Sequence, residues 1–197
     1  MLALMPLARL IVLGLQNNLT ANPVEFVERS TGTWTLAILL ITLSMTPIRL
    51  LTGVVWQIQF RRMMGLFMFF YACLHFTTYI WLDHWFAWAD IVKDIAKHPY
   101  VLVGFSAFCL TVPLAMTSSR KMMHKLGPSW KTLHRTVYLI ATLGVVHFWW
   151  LVKKDIREPL LYALALSVLF GVRIYMKKFP RVKQPAVSKI KAKELAT

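Results

Sequence analysis

Acidic residues are scarce in this chain: eight Asp and Glu stand against 23 Lys and Arg in 197 residues. Five stretches, 33–48, 63–82, 101–119, 136–152 and 159–172, hold no Asp, Glu, Lys or Arg at all. With 57% hydrophobic residues, that distribution excludes an ordinary soluble domain of this size and places the chain in a bilayer. Cysteine is nearly absent too. Cys73 and Cys109 both fall inside apolar stretches, so neither a disulfide framework nor a thiolate metal centre is expected, and both are read as small packing residues. No glycine-rich phosphate loop, internal repeat or second soluble domain is visible.

The five runs are near the length needed to cross about 30 Å of hydrocarbon once their flanks are added. Met1 to Leu15 is read as a sixth membrane helix, short and carrying Arg9. A cleaved signal peptide is the rival reading, but no convincing small-residue cleavage site precedes Gln16 to Asn18. The expected fold is therefore an all-α, polytopic membrane helix bundle of about six transmembrane helices over residues 1–176. A basic tail, 177–197, is expected to lie disordered near anionic headgroups.

A net charge of +15 raises the question of nucleic acid, and its distribution answers it. Loop 49–62 has three basic residues, loop 118–135 has five, and the segment from Arg173 has eight against one Glu. The alternate loops carry six basic residues and seven acidic ones, Glu25, Glu28, Asp83, Asp90, Asp94, Asp155 and Glu158. That sorting follows the positive-inside rule and puts both termini on the cytoplasmic side. The charge belongs to membrane topology, and no nucleic-acid partner is expected. Trp81, Trp85, Trp88, Trp149 and Trp150 cluster at the expected outer interface, where a belt of amphipathic rings is favoured.

Against this apolar background three histidines stand out. His75 and His147 lie within uncharged runs and His134 at the mouth of one. Imidazole in hydrocarbon is costly without a partner. Two imidazoles on facing helices can hold a haem iron from both sides, which satisfies each ring and buries an apolar porphyrin. His75 lies twelve residues into an outward-running span, about 18 Å along its axis. His147 lies thirteen residues beyond His134 on another outward span starting near Leu133, about 20 Å higher and close in depth to His75. They form the natural axial pair. Ala72 and Gly144, three residues before each, leave room for a flat macrocycle or for close helix packing. His134 is roughly 140° around an ideal helix from His147. At its depth the other span supplies Arg61 and Arg62. It is left as one ligand of an inner haem, a propionate or quinone contact beside the arginines, or a packing residue. His84, His98 and His124 are expected in solvated loops.

The runs Asn22-Pro23-Val24-Glu25, Thr31-Gly32, Thr46-Pro47-Ile48-Arg49, Arg61-Arg62, Gly65-Leu66, Leu74-His75 and Thr78-Tyr79 resemble the MsrQ (YedZ) family. The likeness continues through Thr117-Ser118, Leu126-Gly127, Trp130, Leu133-His134-Arg135, Val137-Tyr138, His147, Trp150 and Lys153. That family belongs with the ferric-reductase-like membrane domains, related to the core of NADPH oxidases. The resemblance implies a bacterial inner-membrane subunit that passes electrons from respiratory quinol through one or two b-type haems to MsrP, a periplasmic molybdopterin enzyme that reduces methionine sulfoxide. The sulfoxide chemistry is then the partner's. The family's haem ligands fall on His75, His134 and His147, with Arg61 and Arg62 as candidate cofactor contacts, and an FMN is associated with the family without contacts assignable here. No Cys-x-x-Cys-His is present for covalent haem attachment. Two departures are visible: a clipped first span, and His98 where the family usually carries arginine.

Two other classes are weighed. A proton- or metal-coupled transporter would use membrane histidines, but such carriers usually also place carboxylates near the bilayer centre, and none is found here. A purely structural anchor for a periplasmic partner needs no buried imidazole.

Overall fold

The computed structural model describes residues 2–152 and 155–179. All regular elements among them are helical: α1 (Met5–Leu15), α2 (Pro23–Thr52), α3 (Arg61–Thr78), α4 (Trp88–Lys97), α5 (Pro99–Met116), α6 (Arg120–Leu126), α7 (Pro128–His134), α8 (Val137–Leu151) and α9 (Arg157–Lys178). Four helical segments are long and apolar enough to cross a membrane: α2, the segment Trp56–Asp83 containing α3, α5 and α9. The 15-residue α8 and 11-residue α1 complete a set of six apolar helices, five on the uncharged runs and one on the short segment carrying Arg9. Leu161, Leu164 and Val168 on α9 are exposed, as a lipid-facing stripe requires.

Several boundaries move. Glu25, Glu28 and Arg29, expected in an outer loop, form the first turns of α2. Asn22 starts that helix: its side chain accepts from the Glu25 N–H and donates to the Glu25 carboxylate, while Pro23 occupies the first helical position, where no donor is needed. The basic segment 118–135 folds into α6 and α7, joined at Gly127 with φ +51°, a value that favours glycine. A turn at Arg135–Thr136 separates α7 from α8, so His134 is not on the fifth span. The single-helix angle between His134 and His147 therefore does not apply. α9 runs through Lys178; the bulk of the expected tail, 180–197, lies outside the described residues.

α2 is the axis of the bundle and packs on α1, α3, α8 and α9, while α5 pairs with α8 and touches α3 and α4. Leu36, Leu39 and Leu43 of α2 meet Tyr71 of α3, Ile140 and Ala141 of α8 and Leu166 of α9 in the buried core. Fully buried Tyr71 fastens the short α1: its hydroxyl donates to the Ala3 carbonyl at 2.8 Å and accepts the Leu7 N–H at 3.2 Å. Leu7 lies in the first turn of α1, where the helix supplies no acceptor. Tyr71→Phe is expected to lower stability by about 1–3 kcal/mol, read as thermal unfolding in detergent. An unchanged melting point would show that α1 is held by packing alone.

Arg173, counted with the tail by its charge, turns into the bundle instead. Pro47 inside α2 has no N–H and so leaves the carbonyl four residues earlier without its helical donor. That carbonyl, on Leu43, accepts from Arg173 Nη2 at 2.6 Å, and Arg173 Nη1 donates to the Tyr138 hydroxyl at 2.6 Å. One cation thereby ties α2, α8 and α9.

Candidate cofactor site

The site is built twice from the same parts. His75 on α3 lays its ring over Gly32 of α2, and His147 on α8 lays its ring over Gly104 of α5. A Cβ at Gly32 would stand 3.0 Å from His75 Cε1, and one at Gly104 would stand 2.7 Å from His147 Nδ1. Only glycine lets a ring approach so near the helix backbone. Four residues before each glycine, on the same helix face, a carbonyl takes the ring proton. His75 Nδ1 donates to the Glu28 carbonyl at 3.0 Å, with Thr31 Oγ1 at 3.4 Å, and His147 Nδ1 donates to the Tyr100 carbonyl at 2.7 Å. In each half the acceptor precedes its histidine by 47 residues. This repeat is one of geometry, with no residue likeness beyond glycine and histidine, so a search along the chain passes over it.

A carbonyl can only accept. Both rings are therefore protonated at Nδ1, and each Nε2 keeps its lone pair, the arrangement typical of metal-bound histidine with a supporting backbone acceptor. The ring centres stand 6.2 Å apart with planes at 70°. Two metal–imidazole bonds of about 2 Å, each followed by about 1 Å from nitrogen to ring centre, put such rings about 6 Å apart across one iron. The structure thus brings His75 and His147 together at a spacing suited to one metal.

Both rings line a cavity of about 770 Å³, within the ~300–1,000 Å³ of sites that enclose cofactor-sized molecules. Leu36, Leu39, Met68, Ala107 and Ile140 supply apolar wall. Ala72 and Gly144 line it as well, and a Cβ at Gly144 would meet only Leu36 Cδ1 at an ordinary 3.4 Å. One end, that expected to face outward, is polar, with Glu28, Asp83, His84 and Asp94 among its lining residues. The apolar body and polar rim fit a haem.

α4, folded from the expected outer loop, closes over that end. It is reached through a five-residue π turn, Tyr79–Asp83, and two consecutive aromatics in the left-handed region, Trp85 (φ 48°) and Phe86 (φ 61°). Asp94 of α4 accepts from the Tyr79 hydroxyl at 2.7 Å and pairs with His98 Nδ1 at 2.7 Å. His84 stands 3.7 Å from Asp83 and Asp94. So His84, expected in a solvated loop, is drawn into the rim, whereas His98 and His124 are exposed as expected.

The inner candidates are placed apart. His134 stacks on Trp130 with ring centres 3.9 Å apart, and its Nδ1 donates to the Trp130 carbonyl at 3.1 Å. Burial lowers its pKa below the ordinary histidine value, and the Arg61 cation acts in the same direction, so the neutral ring is favoured. Arg61 turns inward, 3.4 Å from Thr46 Oγ1, while Arg62 is exposed. None of the three lines the large cavity. Sequence reasoning missed Gly32, Gly104 and the two carbonyls. The available signal was a glycine inside an apolar helix, where it costs about 1 kcal/mol against alanine and so asks for a packing reason.

The family described as ferric reductase like transmembrane component matches residues 31–145. A protein of Herminiimonas arsenicoxydans described as protein-methionine-sulfoxide reductase heme-binding subunit MsrQ is 47% identical over 189 residues, 94% of this chain and 87% of that protein. Proteins with the same description are 49% identical in Ralstonia nicotianae, over 89% of this chain and 82% of that protein, and 52% identical in Xanthomonas campestris, over 81% and 73%. No solved structure matches the chain.

Proposed function

Because this chain belongs to the MsrQ family, within the ferric-reductase-like transmembrane proteins, we propose that it is the haem-binding membrane subunit of a protein-methionine-sulfoxide reductase. The observation that carries this reading is the imidazole pair, 6.2 Å between ring centres, with both Nδ1 protons given to carbonyls. His75 and His147 hold the iron of a b-type haem. When bound, that haem supplies a one-electron couple within the bilayer.

The chain's own residues do the rest. The Glu28 and Tyr100 carbonyls fix the tautomer and aim of the two rings, and Gly32 and Gly104 give the rings space. The apolar walls keep water from the iron, which tunes its potential. The family likeness adds a quinol donor at the inner end and an MsrP-like periplasmic molybdopterin partner at the outer end, where α4 with Trp88 and the preceding Trp81 and Trp85 offer a docking surface. It also adds an FMN, for which no contact is assigned, and room for a second haem. His134, with Arg61 and Arg62, is the candidate for an inner haem ligand with its propionate partners, or for a quinone contact. The setting is the bacterial inner membrane with both termini cytoplasmic, supported by the sorting of basic and acidic residues.

A reduced-minus-oxidised visible spectrum of the purified full-length protein tests the reading. A b-type haem transition with at least one haem per chain is expected. Protein produced with haem available that shows no such transition overturns it.

A further inference from the structure

The cavity between His75 and His147 has a lopsided charge. Five carboxylates line it, on Glu25, Glu28, Asp83, Asp94 and Asp155, and Arg29 is its one Lys or Arg among the described residues. A haem carries two carboxylates of its own, which must leave the apolar walls for the polar rim. At that rim five carboxylates would repel them. Among the described residues Arg29 is the one permanent cation there, one turn of α2 before Gly32, against which the His75 ring lies.

Its present partner is dispensable to it. Arg29 Nη2 pairs with Glu158 Oε2 of α9 at 2.8 Å, with side chains 48% and 53% exposed. An ion pair so open to water contributes little to stability. Glu158 does not line the cavity, and a guanidinium has five donors in a fork suited to planar carboxylates. Exchanging or sharing Glu158 with a second carboxylate therefore costs little.

We propose that Arg29 anchors a propionate of the haem held by His75 and His147, exchanging or sharing its open pair with Glu158 for that carboxylate. This rests on the haem reading above and assigns to the site a binding residue outside the histidine set. Arg29 touches the cofactor's carboxylate and not its iron, so its removal leaves the axial ligation intact and loosens the cofactor.

The alternative is a plain clasp between α2 and α9, and the two differ in symmetry. A clasp is lost equally from either side, whereas an anchor is lost only with Arg29. The test follows haem transfer from the purified full-length protein to apomyoglobin in wild type, Arg29→Gln, Arg29→Lys and Glu158→Gln. Arg29→Gln is expected to release haem about tenfold faster, Arg29→Lys to fall between, and Glu158→Gln to hold haem as wild type or better. Equal loss in Arg29→Gln and Glu158→Gln overturns the proposal in favour of the clasp. A second arm loads protein from haem-deprived cells with haem or with haem dimethyl ester, whose propionates carry no charge. The gap between wild type and Arg29→Gln should close with the ester; if it persists, the proposal fails. Wild type that takes up neither compound sinks the haem reading itself, a result distinct from failure of Arg29 alone. Should Arg29→Gln fold poorly, Arg29→Lys against Glu158→Gln still decides the matter.

Discussion

Alanine in place of either His75 or His147 is expected to abolish the absorption of the haem between them, while His134→Ala leaves that signal in place. In the proposed site the two imidazoles would hold the iron, and each is aimed by a backbone carbonyl, that of Glu28 or of Tyr100. Loss of a supporting group alone typically costs 10- to 100-fold in metal affinity, and loss of a ligand costs more. The vacated volume would be lined by Gly32 or Gly104 and carry no donor for iron. Haem per chain and the reduced-minus-oxidised spectrum provide the measurement. Normal absorption and potential in both His75→Ala and His147→Ala would exclude the pairing, and loss of the same signal in His134→Ala would move a ligand to the inner end.

Gly104→Ala should be nearly as damaging, although it removes no ligand. The new methyl would sit 2.7 Å from His147 Nδ1, 2.8 Å from Cε1 and 3.1 Å from Cγ. The whole ring edge is met rather than a flexible tip, so His147 must tilt or the α5–α8 spacing must widen. Either stretches the 2.7 Å bond to Tyr100. Haem occupancy is expected to fall about tenfold or more, and the residual haem should show an altered midpoint potential and altered electron paramagnetic resonance of the oxidised iron. A merely structural fault would lower yield without moving those two. Gly32→Ala, at 3.0 Å and 3.2 Å, should show the same changes more weakly. Gly65→Ala, with nothing within 4 Å, serves as the control. Unaltered haem properties in Gly104→Ala would refute the positioning role.

The outer pairing was legible because two simple facts coincide: helices advance by a fixed rise, and uncharged runs mark where each begins. Counting from Met63 and from a start near Leu133 puts His75 and His147 at one level. What the count does not supply is rotation. That His147 faces α5 depends on Gly104, and glycines are scattered through this chain for other reasons, such as the left-handed turns at Gly53 and Gly127. His134 shows the opposite failure. Hydropathy continues through Leu133 to Val137, yet bonds spanning three residues interrupt the α-helical pattern at Arg135–Thr136, and a pattern of apolar residues does not register such a break. Arg173 was assigned by charge to the tail. Its acceptor exists because Pro47, 126 positions away, withholds one N–H, a relation that no local window contains. The rim was misread for a similar reason, since Glu28 and Asp94 carry charge that argues for a loop, while Asn22 capping and the π turn fold both into helices.

The acceptors for both imidazole protons are main-chain atoms, and side-chain exchange at positions 28 and 100 does not delete them. An alanine scan of this protein would accordingly score Glu28 and Tyr100 only for their carboxylate and phenol, and half of what orients the two imidazoles would go unrecorded. Exposing that half takes an edit to the peptide bond itself, such as an ester replacing the amide that bears the oxygen.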